Sequence, residues 1–199
     1  MRLAILLSGR GSNFEAIHHA IARGALNAQI VCVISNRSDA AGIARATELG
    51  LTTHVFDHRK YPTREAHEED VLRAIAESGA DFIALAGYMR LLSPAFVAAF
   101  SHRILNIHPS LLPAFPGVDA QAQALRYGVK VAGCTVHFVD ENLDAGPIIV
   151  QRAVPVLDGD TAEVLSARIL EQEHIAYVEA LVALSTRAWR VEGRRVVFG

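Results

Sequence analysis

Two polar residues lie near the end of an apolar run that begins at Ile104. Asn106 and His108 are two positions apart, so in a β-strand their side chains share one face and Ile107 takes the other. Pro109 then stops the strand. An amide donor beside an imidazole could stabilise a developing oxyanion and exchange protons near neutral pH. The alternative is a buried polar pair that serves the backbone of the next loop.

A second chemical candidate lies in residues 140–147, a segment of turn-forming residues that contains three acids. Such a composition is typical of a solvated loop, which needs no function. If the Asp144 carboxylate lay beside an imidazole such as that of His108, it would favour the protonated ring and keep a proton available for donation. Spacing alone leaves both interpretations open.

A glycine-rich segment, residues 8–13, reads Ser-Gly-Arg-Gly-Ser-Asn between the first apolar run and the first helical pattern. Ser12 followed three residues later by Glu15 is a capping-box pattern, which predicts a helix that starts at Ser12 with a side-chain cap. Glycines just before a helix allow an anion to approach free backbone N–H groups closely. The segment lacks the third glycine of a dinucleotide fingerprint and the lysine of a P-loop, so it suits a phosphate monoester better. A tight turn with a capped helix is the alternative.

Composition argues against several classes of partner. Nineteen Lys and Arg stand against 21 Asp and Glu, a net charge of −2, whereas nucleic acids and anionic membranes attract clustered cations. No apolar run approaches the roughly 20 residues of a membrane span. Cys32 and Cys134 each lie in an apolar stretch, as buried thiols of a reducing compartment do, and the nine histidines show no metal-ligand spacing. We therefore expect a cytoplasmic protein with neither nucleic acid, membrane nor metal as partner.

The candidate residues must be positioned by alternating strands and helices. Five short apolar runs are separated by segments with helical apolar spacing, which is typical of βαβ units around a buried parallel sheet. The predicted strands are residues 3–7, 30–34, 53–56, 82–86 and 104–107, and helical patterns cover residues 14–21, 40–49 and 66–75.

Beyond Pro109 a proline-rich loop leads into mixed elements. They are a short helix through residues 122–127, β-rich stretches at 131–139 and 147–156, a long helix at about 162–184 and a terminal hairpin. We therefore predict an α/β fold with a mostly parallel open sheet and helices on both faces. Its C-terminal half would hold mixed strands and a long helix.

Four segments of the sequence resemble the glycinamide ribonucleotide formyltransferases, which are folate-dependent enzymes of purine synthesis. They are residues 9–13, 86–92, 106–113 and 143–147. Residues 106–113 are typical of the wider formyl-tetrahydrofolate transferase superfamily. Residues 9–13 restrict the resemblance to the glycinamide ribonucleotide formyltransferases. The resemblance implies a Rossmann-like formyltransferase fold. It also implies transfer of the formyl group of 10-formyltetrahydrofolate to the amine of 5-phosphoribosylglycinamide, in de novo purine (IMP) biosynthesis.

The resemblance further implies roles for individual residues. Asn106 and His108 would polarise the formyl oxygen, and His108 would donate a proton with help from Asp144. The substrate phosphate and ribose would be bound by Gly11, Ser12, Asn13 and Glu173. The folate would be bound by Arg64, Met89, Arg90, Leu91, Leu92 and Asn106, and by the loop residues Asp140, Glu141, Asn142, Leu143 and Asp144. The folate is a consumed co-substrate, so no tightly bound cofactor and no metal is implied.

We expect residues 1–199 to form one formyltransferase domain, with phosphate-binding βαβ units to about residue 100 and the catalytic and folate loops from about residue 101. The partners would be the two small-molecule substrates, and the protein would be a monomer or homodimer. The sequence departs from the family pattern at Ala114, at residues 119–121 and at Leu170. These departures predict altered binding of the substrate. The alternatives are a formyltetrahydrofolate hydrolase and a non-catalytic phosphate-binding α/β module.

Overall fold

The computed structural model describes the whole chain, Met1 to Gly199. The chain forms two compact units, Met1–Leu105 and Asn106–Gly199. The boundary between the units falls inside a strand, β5 (Ile104–His108). That the chain works as a single domain stays a prediction.

The first unit alternates parallel strands with helices. Its strand order is β3-β2-β1-β4, and the pairs β1–β2, β1–β4 and β2–β3 are all parallel. The strands before β5 are β1 (Arg2–Leu7), β2 (Gln29–Ser35), β3 (Thr53–Val55) and β4 (Phe82–Leu85). The helices are α1 (Ser12–Ala22), α2 (Ala41–Glu48), α3 (Arg64–Ser78) and α4 (Pro94–Ala99), with a 3-10 turn at His58–Lys60.

Strand β1 shows why a continuous apolar run predicts a buried parallel strand. β1 pairs on both sides, and residues 3–7 are each 0% exposed, so every side chain of the run is buried against the core. Two helices of this unit begin at polar caps: Thr63 Oγ1 accepts a hydrogen bond from the backbone N–H of Ala66 at the start of α3, and Ser93 caps α4 ahead of Pro94. Helix α4 was not predicted, because six residues are too few to show helical periodicity.

The second unit is mixed. Its elements after β5 are α5 (Ala120–Tyr127), β6 (Val131–Phe138), β7 (Ile148–Pro155), α6 (Ala162–Thr186), β8 (Trp189–Glu192) and β9 (Arg195–Phe198). The end of β5 is followed in the sheet by β6, β7, β9 and β8. The pairs β6–β7 and β8–β9 are antiparallel, whereas β7–β9 is parallel. The predicted α/β class, the mostly parallel sheet, the mixed second half with its long helix and the terminal hairpin are confirmed.

Close packing inside the second unit depends on one glycine and one helix. A Cβ at Gly133 would lie 2.1 Å from the carbonyl oxygen of Arg152, so β6 approaches β7 there only because the side chain is missing. Helix α6 is capped by Thr161 and packs on β6 and β7. Its buried Tyr177 and Leu181 are both 0% exposed. These contacts hold β6, which carries Thr135 and His137.

Two further properties of the chain concern its helices and its cysteines. None of the helices combines the length and apolarity that crossing a bilayer requires. Cys32 and Cys134 are both free and buried, and burial raises the pKa of the Cys134 thiol to about 12. A thiol with so high a pKa is almost never a thiolate near neutral pH, so Cys134 is a poor nucleophile.

Acid should destabilise the first unit through His67, which is 1% exposed. Its Nε2 donates to the carbonyl oxygen of Phe56 over 2.9 Å, while burial lowers the pKa of the ring. As the pH falls below about 6.5, the unfolded chain therefore takes up a proton that the folded chain does not. The free energy of unfolding decreases below that pH. We expect His67→Gln to flatten this decline in urea unfolding between about pH 7.5 and about pH 5.5. An unchanged decline would contradict this role for His67.

Candidate active site

Strand β5 presents Asn106 and His108 on one face, at its carboxyl end beside β6. His108 is 5% exposed, whereas Asn106 is half-buried. The carboxyl ends of strands are where α/β sheets place their ligands. The shared face predicted from the two-residue spacing therefore lies at a suitable position for a ligand.

Both ring nitrogens of His108 have partners. Nε2 lies 2.9 Å from the carbonyl oxygen of Phe115, and a carbonyl only accepts, so this nitrogen carries a proton. Nδ1 lies 3.4 Å from Oδ2 of Asp144. The ring is therefore held between the Phe115 carbonyl oxygen at Nε2 and the Asp144 carboxylate at Nδ1.

The Asp144 side chain is held from two sides. Its Oδ2 accepts a hydrogen bond of 2.8 Å from the backbone N–H of Gly117 while it faces His108, and the side chain is only 9% exposed. The Asp144 backbone adopts a left-handed conformation with φ 50°, which Asp tolerates better than most residues. Of the two interpretations that spacing left open for Asp144, the structure gives the one beside the imidazole.

His137, on β6, was not among the predicted site residues. Its Nδ1 donates to the carbonyl oxygen of Phe138 over 2.9 Å, so Nε2 is free to accept from Asn106 Nδ2 at 3.3 Å. Burial lowers the pKa of His137, which agrees with a neutral ring acting as acceptor. One N–H of the Asn106 amide is thereby fixed, and the other stays available for a ligand.

Along the sequence, His137 is near only Cys134, three residues earlier. Its contact with Asn106 on the neighbouring strand was therefore not predicted. The signal that could have found it is the alternation Thr135, His137 along a strand beside β5, because residues two apart share a face. His137 Nε2 also lies 3.9 Å from Asp144 Oδ1. Asn106, His108, His137 and Asp144 therefore form one cluster in the second unit.

The loop after β5 is held by a buried polar network that the sequence did not predict. Thr135 Oγ1 donates to the carbonyl oxygen of Ser110 over 2.7 Å and accepts from the Leu112 N–H at 3.0 Å. Gln151 Nε2 donates to the Leu112 carbonyl oxygen over 2.9 Å. These bonds fix the loop that supplies the Phe115 carbonyl to His108.

The remaining predicted residues of the second unit occupy different environments. Residues 141–143 are exposed, and Leu143 is 56% exposed. The turn is shaped by Asp140 Oδ1, which accepts from the Asn142 N–H over 2.9 Å. Glu173 lies on α6 and is 9% exposed. The roles of residues 140–143 and Glu173 as ligand contacts stay predictions.

Helix α1 follows the glycine segment and begins at Ser12, as predicted. The predicted side-chain cap by Ser12 is wrong. Gly11, with φ 79° and ψ 23°, occupies the cap position, and no side chain caps the helix. Ser12 is already the first helical residue, so its hydroxyl does not play the cap role inferred from Glu15. The first backbone N–H groups of α1 are thus left without a side-chain cap, as an anion site at a helix N-terminus requires.

If the glycine segment binds the substrate phosphate, as the resemblance implies, replacing Gly11 by alanine should weaken that binding selectively. Its Cβ would lie 2.9 Å from the Cα of Gly42, in a backbone conformation with φ +79°, so the loop must shift. We expect the Kd for phosphoribosylglycinamide to rise about tenfold or more and the Kd for tetrahydrofolate to change little, as measured by titration calorimetry.

Gly50→Ala is the matched control for Gly11→Ala, because Gly50 also has a positive φ of +72° but would place its Cβ in open space. It should leave both dissociation constants unchanged. Equal losses for both ligands in Gly11→Ala would indicate a collapsed unit and would contradict the phosphate assignment.

The predicted folate segment of the first unit follows β4. Met89 and Leu91 are 77% and 63% exposed, an unusual exposure for apolar side chains so close together. The backbone N–H of Met89 donates to Ser8 Oγ over 2.8 Å, which brings this segment next to the glycine segment. Arg90 and Leu92 are half-buried, and Arg64 begins α3 with Nε 3.6 Å from the Glu65 carboxylate. Their roles as ligand contacts stay predictions.

The chain belongs to the formyl transferase family, whose sequence pattern matches residues 1–181. A solved structure described as glycinamide ribonucleotide transformylase 1 from Symbiobacterium toebii is 48% identical, with a TM-score of 0.97 over 100% of this chain and 93% of that one. The phosphoribosylglycinamide formyltransferase of Escherichia coli K12 is 40% identical over 98% of this chain and 89% of its own length.

Longer relatives also match. The trifunctional purine biosynthetic protein adenosine-3 of Drosophila pseudoobscura is 47% identical over 95% of this chain. This chain spans only 14% of that protein, and between 14% and 19% of the first four relatives of this kind. The similarity to these relatives is therefore to one segment of a larger protein.

Proposed function

We propose that this chain transfers the formyl group of 10-formyltetrahydrofolate to the amine of 5-phosphoribosylglycinamide. The products are formylglycinamide ribonucleotide and tetrahydrofolate, and the step belongs to de novo purine (IMP) biosynthesis. The observation that carries the proposal is the contact of His108 with Asp144, 3.4 Å apart, beside Asn106 on the same strand face. Membership of the formyl transferase family and the names of its full-length relatives support it.

The proposed chemistry uses the cluster of the second unit. The substrate amine attacks the formyl carbon and forms a tetrahedral intermediate, whose oxyanion accepts the free N–H of the Asn106 amide. One N–H of His108 turns from its present acceptor to the departing folate nitrogen and donates its proton, and the proton lost by the attacking amine balances the step. Asp144 keeps the His108 ring oriented. His137 fixes the Asn106 amide so that the donor is already in place.

The same proposal assigns binding roles to the remaining predicted residues. Gly11, Ser12 and Asn13 would bind the substrate phosphate, and Glu173 the ribose. The folate would be bound by the set Arg64, Met89, Arg90, Leu91 and Leu92, together with Asn106 and residues 140–144. The folate is consumed in each turnover, so no tightly bound cofactor or metal takes part.

We also propose that the protein works in the cytoplasm, as one domain and as a monomer or homodimer. Free buried cysteines suit a reducing compartment. The substrates are small molecules, and the net charge of −2 offers no general attraction for nucleic acid or anionic lipid.

One assay separates this function from its alternatives. Tetrahydrofolate release is followed after 10-formyltetrahydrofolate is added, with and without phosphoribosylglycinamide. We expect release only when the amine substrate is present. Release without it would identify a hydrolase, and binding of the phosphate substrate without any release would identify a non-catalytic module.

A further inference from the structure

Three neighbouring strands of the first unit are tied together by one buried hydroxyl. Ser8 follows β1, Asn36 follows β2, and Met89 lies in the segment after β4. Ser8 is 5% exposed and Asn36 is 2% exposed. Ser8 Oγ donates to Asn36 Oδ1 over 2.5 Å and accepts from the Met89 N–H over 2.8 Å.

The direction of each hydrogen bond in this group is fixed. The Met89 N–H can only donate, so the single proton of the Ser8 hydroxyl is left for Asn36. The Asn36 amide turns its Oδ1 toward Ser8, and an amide oxygen can only accept. A second link runs through the backbone, where the Ser8 N–H donates to the carbonyl oxygen of Gly87 over 3.1 Å.

The segment held in this way has few other means of support. Residues 87–92 have no regular secondary structure, and Met89 and Leu91 are largely exposed. Tyr88 anchors the start of the segment, since it is only 9% exposed, but residues 89–92 have neither ladder hydrogen bonds nor a buried side chain. Such a stretch loses much conformational entropy when a ligand orders it, unless it is ordered beforehand. The Ser8 hydroxyl supplies that order at the first exposed residue of the segment.

We infer that Ser8, oriented by Asn36, is a positioning residue that presets the Met89–Leu92 segment for the folate substrate. The inference rests on the proposed function, because that function makes residues 89–92 folate contacts. Neither Ser8 nor Asn36 needs to contact substrate in this role. The effect should appear as a change in folate KM with kcat preserved, since the segment binds ground state and transition state alike.

The test compares Ser8→Ala with Ser35→Ala. Ser35 is a matched control, because it is 0% exposed, ends the neighbouring strand β2, and bonds only to the backbone of Arg37. We expect Ser8→Ala to raise the KM for 10-formyltetrahydrofolate about tenfold. Its kcat and its KM for phosphoribosylglycinamide should stay within about twofold of wild type. Ser35→Ala should change neither KM, and Ser8→Thr, which keeps the hydroxyl, should restore the folate KM.

Amide hydrogen exchange gives a readout that does not depend on turnover. Ser8→Ala should speed exchange in the peptide that contains residues 86–92, and Ser35→Ala should not. If Ser8→Ala does not fold, Asn36→Ala takes its place, because it removes the acceptor that orients the same hydroxyl. Unchanged exchange, or faster exchange with an unchanged folate KM, would overturn the inference. A wild-type protein that shows no formyl transfer would instead refute the proposed function.

Discussion

Replacing His108 by asparagine is expected to lower kcat by about a thousandfold, within the range of a lost general acid. Asparagine keeps a polar side chain of similar reach but cannot carry a transferable proton. The variant also lacks the imidazole nitrogen that lies 3.4 Å from Asp144. Single-turnover rates, with both substrates saturating, measure the chemical step directly.

Two controls test whether the loss belongs to the cluster. His19→Asn changes an exposed histidine on α1 and should leave the rate unchanged. Asp144→Asn should slow the reaction, and the double variant with His108→Asn should be little slower than His108→Asn alone, since residues acting as one unit are not additive. If the two single losses multiplied in the double variant, His108 and Asp144 would not act as a pair.

Asn106→Ala is expected to reduce kcat by about a hundredfold or more, the size of effect seen when one oxyanion donor is removed. The amide is held by His137 over 3.3 Å, so the donor is aimed before the substrate arrives. The KM values for both substrates should change far less than kcat, because the oxyanion exists only along the reaction path. Steady-state kinetics with each substrate varied in turn makes the comparison.

Asn27→Ala serves as the matched control for Asn106→Ala, because Asn27 is exposed in the first unit. It should show wild-type kinetics. An Asn106→Ala variant with a normal kcat and a raised KM would mark Asn106 as a ground-state binding residue and would remove the oxyanion role from the mechanism.

Much of the fold could be predicted because buried parallel strands are continuous apolar runs. Every apolar run predicted as a strand before Pro109 forms a strand. In β1, residues 3–7 are all buried, which is why the run is continuously apolar. Local caps were harder. The sequence pattern of Ser12 and Glu15 has the form of a capping box, yet Gly11 in a left-handed conformation occupies the cap position. A pattern of residue types does not record that backbone conformation.

The candidate site was only partly predictable. The two-residue spacing placed Asn106 and His108 on one face, but nothing in the sequence measures the approach of Asp144, which depends on the positive φ of its own turn and on the Gly117 N–H. The role of His137 was not predicted, because its partner Asn106 lies on a neighbouring strand. The contacts of Thr135 and Gln151 were not predicted either, since cross-strand contacts depend on register.

The central claim is that this chain moves a formyl group from folate to the amine of phosphoribosylglycinamide. The most direct test is a single turnover with 10-formyltetrahydrofolate that carries a labelled formyl group, followed by mass spectrometry of the products. Wild-type protein should place the label on the amine of phosphoribosylglycinamide, and His108→Asn should not do so in the same time. Label recovered as formate, with the amine substrate unchanged, would contradict the account.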